Sequence, residues 1–147
     1  QNLGAGRVTR AKRSGYWAAL YNTVMLALLS ALYVTFAGSI VGFFDRDPQV
    51  LAIAQSYFAW VAPTYVALGI GIVLGSVMQG AGVPERALLL DGCVLLAVQL
   101  PASALVFLAP NHNLTQVWLV VGTSYVALAV TLLASYRRGG FLRAALA

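Results

Sequence analysis

The chain alternates between long apolar stretches and short polar segments. Four stretches are almost free of charge and cover about residues 16–44, 50–78, 86–108 and 114–136. About 20 apolar residues in a helix cross the roughly 30 Å hydrocarbon core of a bilayer, and each stretch is longer than that. The pattern therefore predicts an all-α membrane fold with four transmembrane helices.

Short polar segments separate the predicted helices and supply helix boundaries. The segment Asp45-Arg46-Asp47-Pro48 predicts a charged turn in which Asp47 caps a helix that starts at Pro48. Gln79-Gly80-Ala81-Gly82 predicts a glycine-terminated helix end, and Pro110-Asn111-His112-Asn113 predicts the last turn. Pro63 and Pro101 lie inside the second and third stretches and predict kinks there.

The composition agrees with a membrane protein and excludes an ordinary soluble domain. Of the 147 residues 61% are hydrophobic and only 9% are charged, against roughly 25% charged residues in soluble domains. The net charge of +5 does not indicate nucleic-acid binding, because the basic residues form no stripe with interleaved aromatics. We therefore expect membrane lipid, and no nucleic acid, as a partner.

The distribution of basic residues predicts the orientation. One side of the predicted bundle holds eight of the nine Lys and Arg residues: Arg7, Arg10, Lys12, Arg13, Arg86, Arg137, Arg138 and Arg143. The other side holds Arg46 alone. Because cytoplasmic loops carry the excess of Lys and Arg, we expect both chain ends in the cytoplasm of a multi-pass protein of the plasma (inner) membrane. The tail 141–147 is short and weakly amphipathic.

A short internal echo links the two polar segments on the basic side. Gly4-Ala5-Gly6 matches Gly80-Ala81-Gly82 at an offset of 76 residues, and Arg10 matches Arg86 at the same offset. The echo indicates either coincidence in a chain rich in Ala and Gly or two similar helical hairpins packed together, since repeats are common in transporters.

Small residues recur at four-residue spacing in the second stretch, at Ala67, Gly71 and Gly75. Such spacing lets helix backbones approach closely in lipid. We interpret these residues as a helix-packing surface, and the alternative is a surface that slides or bends during a conformational change.

Asp91 is the strongest functional candidate, because burying an acidic side chain within a membrane-spanning segment costs free energy and such residues are usually functional. It either couples transport to an ion, pairs with Arg or backbone groups near the cytoplasmic rim, or lies in wetted headgroup space without a role. Gln99 follows eight residues later, about 80° around a helix, so that both side chains can line one substrate cavity. The alternative for Gln99 is an interhelical hydrogen bond.

Tyr57, Trp60 and Tyr65 are candidates to line a cavity for aromatic or cationic compounds through cation–π contacts. The alternative is an aromatic belt at headgroup level combined with ordinary packing.

No catalytic constellation is present in the sequence. HExxH, CxxC and Walker A patterns are absent, and the single histidine, His112, falls in a predicted outer turn. We therefore expect a protein that is not an enzyme, has no catalytic or metal-binding residues, and needs no cofactor other than a coupling ion.

Several segments together resemble the multidrug and toxic compound extrusion (MATE) family. The opening segment Gln1-Asn2-Leu3-Gly4-Ala5-Gly6-Arg7 is similar to a cytoplasmic loop of that family. Asp47-Pro48-Gln49-Val50 is similar to its outer loop, Gln79-Gly80-Ala81-Gly82 to its Arg-Gly-Ala-Gly loop, and Gln99-Leu100-Pro101 to a Leu-Pro element of its eleventh helix.

The resemblance implies a transporter of twelve helices in two six-helix lobes, of which this chain supplies helices nine to twelve of the second lobe. The missing N-terminal part of the same chain is then a partner. Such transporters export cationic or amphipathic small molecules by alternating access, driven by Na⁺ or H⁺ entry. One departure is that the second stretch lacks the acidic residue that some members keep in the tenth helix. Alternative functions are a lipid-linked precursor flippase of the related superfamily or a non-transporting four-helix membrane scaffold.

Overall fold

A computed structural model describes residues 1–139 of the chain, and these residues form helices without any strand. Six α-helices follow one another along the chain: α1 (Val8–Phe44), α2 (Pro48–Val61), α3 (Tyr65–Gly80), α4 (Pro84–Val94), α5 (Leu100–Leu108) and α6 (Leu114–Arg138). A 3₁₀ turn (Ala62–Thr64) joins α2 to α3, and a π-helical segment (Leu95–Gln99) joins α4 to α5.

These elements combine into four rods, each long and apolar enough to cross a membrane: Val8–Phe44, which is kinked at Phe36, then Pro48–Gly80, Pro84–Leu108 and Leu114–Arg138. The predicted all-α fold with four membrane-spanning helices is therefore confirmed. The first rod starts at Val8 rather than near residue 16, because Arg10, Lys12 and Arg13 lie in the first turns of the helix. The predicted tail 141–147 and Arg143 fall outside the described residues.

Helix boundaries follow the capping chemistry of the polar segments. The Asp47 side chain accepts a hydrogen bond from the Gln49 amide at 2.7 Å, with Pro48 in the first turn of α2, as predicted. At the start of α6, Asn113 and Gln116 exchange side-chain to backbone hydrogen bonds in a capping box. These caps satisfy amides that the first turn of each helix leaves without an intrahelical partner.

The two copies of the Gly-Ala-Gly echo form the same backbone turn. Gly6 and Gly82 both have a positive φ, 70° and 85°. In each copy two amides make the pair of hydrogen bonds of a Schellman turn. Gly6 donates to the Leu3 carbonyl and Arg7 to that of Asn2; at the end of α3, Gly82 donates to the Gln79 carbonyl and Val83 to that of Met78. A new helix begins two residues after each glycine, at Val8 and at Pro84. The echo therefore marks a repeated turn that starts a membrane-spanning helix.

The most tightly packed region lies at one end of the bundle, where α1, α3, α4 and α6 meet. We call this the basic end, because Arg10, Lys12, Arg137 and Arg138 are there. Its buried core consists of Ala19, Leu74, Met78, Val83, Ala87, Leu132 and Tyr136. Lys12 Nζ donates a hydrogen bond to the Arg137 carbonyl at 3.0 Å, which ties the start of α1 to the end of α6.

Candidate functional site

The break between α2 and α3 brings two of the predicted cavity residues together. Pro63 has no amide to donate, and the helix tightens into a 3₁₀ turn around it, where Thr64 Oγ1 donates to the Val61 carbonyl at 2.7 Å. On either side of this turn the hydroxyl groups of Tyr57 and Tyr65 lie 2.9 Å apart, within hydrogen-bonding distance.

An aromatic cluster surrounds this tyrosine pair and draws on three of the four rods. The ring of Trp118 in α6 meets Tyr57 edge to face, with centroids 5.2 Å apart. Tyr33 in α1 stacks on Phe58 at 5.1 Å and meets Tyr65 edge to face at 6.3 Å. The cluster presents ring faces and edges of the kind that hold planar and cationic compounds.

An apolar groove opens beside the cluster, toward the end of the bundle opposite the basic end. It has a volume of ≈ 510 Å³, and its lining consists of Val41, Val50, Ile53, Ala54, Tyr57, Phe58 and Trp118. Trp118 Nε1 is buried without a hydrogen-bond partner among the described residues. An unpaired buried donor is costly, so this indole N–H is an unsatisfied polar group in a residue that lines the groove.

Trp60, the third predicted cavity aromatic, lies apart from the groove. Its side chain is 47% exposed, and it does not belong to the groove lining. Its location fits the alternative interpretation, an aromatic residue at the surface of the rod.

Asp91 lies in α4, where its exposed side chain lines a second cavity of ≈ 250 Å³ between α3, α4 and α6. Ser76 and Gln79 of α3 also line this cavity, and none of the lining residues within 1–139 is basic. The described lining therefore offers oxygen atoms and no cation that could pair with the carboxylate. Gln99 is half-buried in the π-helical segment and is not part of this lining.

The glycines of α3 pack against two different helices, α6 and α1. Gly71 and Gly75 are buried against α6: a Cβ on Gly71 would lie 3.1 Å from Leu128 Cγ, and one on Gly75 would lie 3.8 Å from Leu132 Cδ1. Gly69 instead faces α1, where a Cβ would overlap the side chains of Asn22 and Leu26. Ala67 is half-buried. The small residues thus hold α3 close to both α1 and α6.

Comparison with known proteins identifies the family. The MatE family model matches residues 1–105. The chain belongs to the MatE family. It is also 32% identical over 105 residues to the FAD transporter of Shewanella oneidensis, a match that covers 71% of this chain and 23% of that relative. The chain thus matches about a quarter of the relative's length. No solved structure matches.

Membership of the MatE family agrees with the four membrane-spanning rods, so the chain is part of a multi-pass membrane protein. Members of this family are transporters, not enzymes. The matched residues include Tyr57, Tyr65, Asp91 and Gln99, whereas Trp118, which contributes the unpaired indole N–H, lies beyond them in α6.

Sequence reasoning missed three members of the aromatic cluster of this MatE chain: Tyr33, Phe58 and Trp118. For two of them a signal was available. Tyr33 lies 12 residues before Asp45 and Phe58 lies 11 residues after Asp47. In an antiparallel hairpin closed by that turn, equal distances from the turn place two residues at equal depth, which predicts that their rings can meet.

Proposed function

We propose that the protein is a secondary active efflux transporter that moves aromatic, cationic or amphipathic small molecules across the plasma (inner) membrane, driven by Na⁺ or H⁺ entry. The observation that carries this proposal is the apolar groove beside the Tyr57–Tyr65 pair in a chain of the MatE family. Ring faces supply cation–π attraction without a fixed charge. Such a site discriminates weakly between substrates, which suits export of chemically diverse compounds.

Alternating access needs rods that pack closely and can still change their relative tilt. The glycine contacts of α3 with α1 and α6, the 3₁₀ turn at Pro63 and the π-helical segment before Pro101 supply both properties. Helix irregularities of this kind often occur at functional sites. In this proposal the α2–α3 and α4–α5 rods bend, while the four rods stay packed against one another at the basic end through its core.

A flavin nucleotide is the second candidate substrate. The 32% identity to an FAD transporter supports it, and a planar isoalloxazine ring can stack against the aromatic cluster as an aromatic cation does. The two candidates differ in charge: an organic cation is positive, whereas the diphosphate of FAD is negative. Net charge of the accepted substrate therefore separates them.

Transport by the full-length protein in proteoliposomes tests the proposal. An imposed Na⁺ or H⁺ gradient should drive accumulation of ethidium, and unlabelled FAD should leave that accumulation unchanged unless flavin nucleotides share the site. Tyr57→Leu should reduce ethidium transport, whereas the matched variant Trp60→Leu, which removes an aromatic ring outside the groove, should leave it intact. Equal loss in both variants, or no gradient-driven transport of either compound, would contradict the proposal.

A further inference from the structure

A stripe of exposed side chains runs along the first half of α1. Its side chains are first basic, then aromatic, then apolar and non-aromatic. It begins with Arg10 and Arg13, which line one cleft of the basic end together with Thr9, Ser14 and Trp17. Trp17 stacks on Tyr21, with ring centroids 6.0 Å apart and planes at 28°. Met25 and Leu28 follow on the same face, each 66% exposed.

The spacing of this stripe matches the depth profile of one lipid leaflet. Arg10 precedes Trp17 by seven residues, which is about 10 Å along a helix, and Leu28 follows Trp17 by eleven residues, about 16 Å. Half of the hydrocarbon core is about 15 Å thick, and aromatic residues collect at the level of the headgroups. The guanidinium groups therefore reach phosphate depth when the two rings lie at the interface.

The opposite face of α1 carries the contacts with the rest of the bundle. Its buried residues are small and include Gly15, Ala19, Ser30 and Ala37. Gly15 and Ala19 each lie two residues from Trp17, which is about 200° around the helix axis. Helices pack against one another in membranes through small residues, so the small-residue face is the contact surface of α1 within these four rods, and the bulky stripe lies outside that surface.

Charge complementarity selects the kind of lipid. The cleft contains two guanidinium groups and two hydroxyl groups, and no carboxylate of residues 1–139 lines it. Lys12, between the two arginines in sequence, is engaged elsewhere, because its Nζ donates to the Arg137 carbonyl. Arginine forms paired hydrogen bonds with phosphate oxygens, and clusters of basic residues beside a membrane-spanning helix attract anionic headgroups.

We propose that this stripe binds one anionic phospholipid lengthwise. Arg10 and Arg13 hold the headgroup phosphate, Trp17 and Tyr21 lie beside the glycerol region, and Met25 and Leu28 contact an acyl chain. The site does not depend on which compound the protein transports.

Native mass spectrometry of the full-length protein in detergent tests this site. Dioleoyl phosphatidylglycerol should form a bound adduct, dioleoyl phosphatidylcholine should bind much more weakly, and excess inorganic phosphate should not displace the anionic lipid. The double variant Arg10→Gln/Arg13→Gln should weaken phosphatidylglycerol binding by about 30-fold. Arg137→Gln/Arg138→Gln is the matched control, since it removes two charges from the same end outside the cleft, and it should retain binding.

Three outcomes would overturn the proposal. Equal weakening in both double variants would show general electrostatic attraction to the basic end. Displacement by inorganic phosphate would show a free-anion site, and equal binding of the two lipids would remove the role of headgroup charge. Monodisperse elution in size-exclusion chromatography checks that the variants fold. If the double variant aggregates, phosphatidylglycerol binding by Arg13→Gln alone is compared with that of the control.

Discussion

The hydroxyl group of Tyr136 donates a hydrogen bond to the Lys12 carbonyl at 2.9 Å and lies where a Cβ of Gly15 would be. The absence of a side chain at Gly15 therefore lets the end of α6 reach the backbone of α1. Tyr136 is fully buried at this junction, and its ring also meets Tyr16 edge to face at 5.1 Å. This contact and the Lys12–Arg137 hydrogen bond close the basic end.

Gly15→Ala should separate α1 from α6. The new methyl group would overlap the Tyr136 hydroxyl group and lie 2.9 Å from Cζ of its rigid ring, so we expect a loss of about 1–3 kcal/mol from overpacking. Thermal unfolding of the purified protein, followed by the loss of its helical circular dichroism signal, measures it. Gly92→Ala is the control, because a Cβ there would have no neighbour within 4 Å. Equal melting temperatures for the two variants would contradict the close approach.

The four rods were predictable from the sequence because a helix satisfies its own backbone groups in a bilayer, and a helix that crosses the hydrocarbon core needs about 20 mostly apolar residues. The start of α1 was not predictable in the same way. Arg10 and Arg13 interrupt the apolar pattern that marks a span, although arginine is itself a good helix former, so the helix continues past the apolar boundary. Hydropathy locates the apolar part of a rod and not its helical end.

The candidate site was predictable only in part. Tyr57 and Tyr65 are eight residues apart, and on a regular helix they would differ by about 80° in direction and 12 Å in height. Their contact depends on the 3₁₀ turn at Pro63, whose presence the sequence indicates but whose geometry it does not fix. Asp91 and Gln99 have the same spacing, yet only Asp91 lines the ≈ 250 Å³ cavity, whereas Gln99 lies at the end of the π-helical segment, eight residues further along the rod.

The glycines that face α6 should differ in their tolerance of a methyl group. Gly71→Ala should destabilise the protein, since its Cβ would press on the branch atom of Leu128 at 3.1 Å, whereas Gly75→Ala would make an ordinary contact at 3.8 Å with Leu132. Leucine at either position should impair folding or transport by forcing the helices apart. Expression level and melting temperature of the four variants give the order. Normal folding with leucine at both positions would contradict the packing assignment.

The orientation can be tested with single cysteines in a background that carries Cys93→Ser, which is necessary because the native thiol is exposed. Cysteines at Arg10, Gly82 and Gly139 should resist an impermeant thiol reagent in intact cells, because the positive-inside rule places the basic end in the cytoplasm. A cysteine at Gln49 should react. Permeabilised cells supply the control, in which all four should be labelled. The reverse pattern in intact cells would invert the proposed topology.

Asp91 tests whether this part of the protein takes part in ion coupling. It lines a cavity with Ser76 and Gln79, and in the described part of the chain no Lys or Arg contributes to that lining. Asp91→Asn keeps the shape of the side chain and removes its charge. If the carboxylate carries the coupling ion, the variant should fold and bind substrate, yet lose gradient-driven accumulation in proteoliposomes by about tenfold or more, as expected when an interaction of at least about 1.4 kcal/mol is lost.

Glu85→Gln is the matched control for Asp91→Asn. Glu85 is an exposed acid in the first turn of the same helix, α4, and it does not line the cavity, so its neutralisation removes the same charge outside the proposed site. Transport driven separately by a Na⁺ gradient and by a pH gradient then identifies the ion, because only the gradient that Asp91 couples should become ineffective in Asp91→Asn. If both gradients still drive full accumulation in that variant, the carboxylate has no part in coupling. The coupling ion must in that case bind to other residues of the transporter.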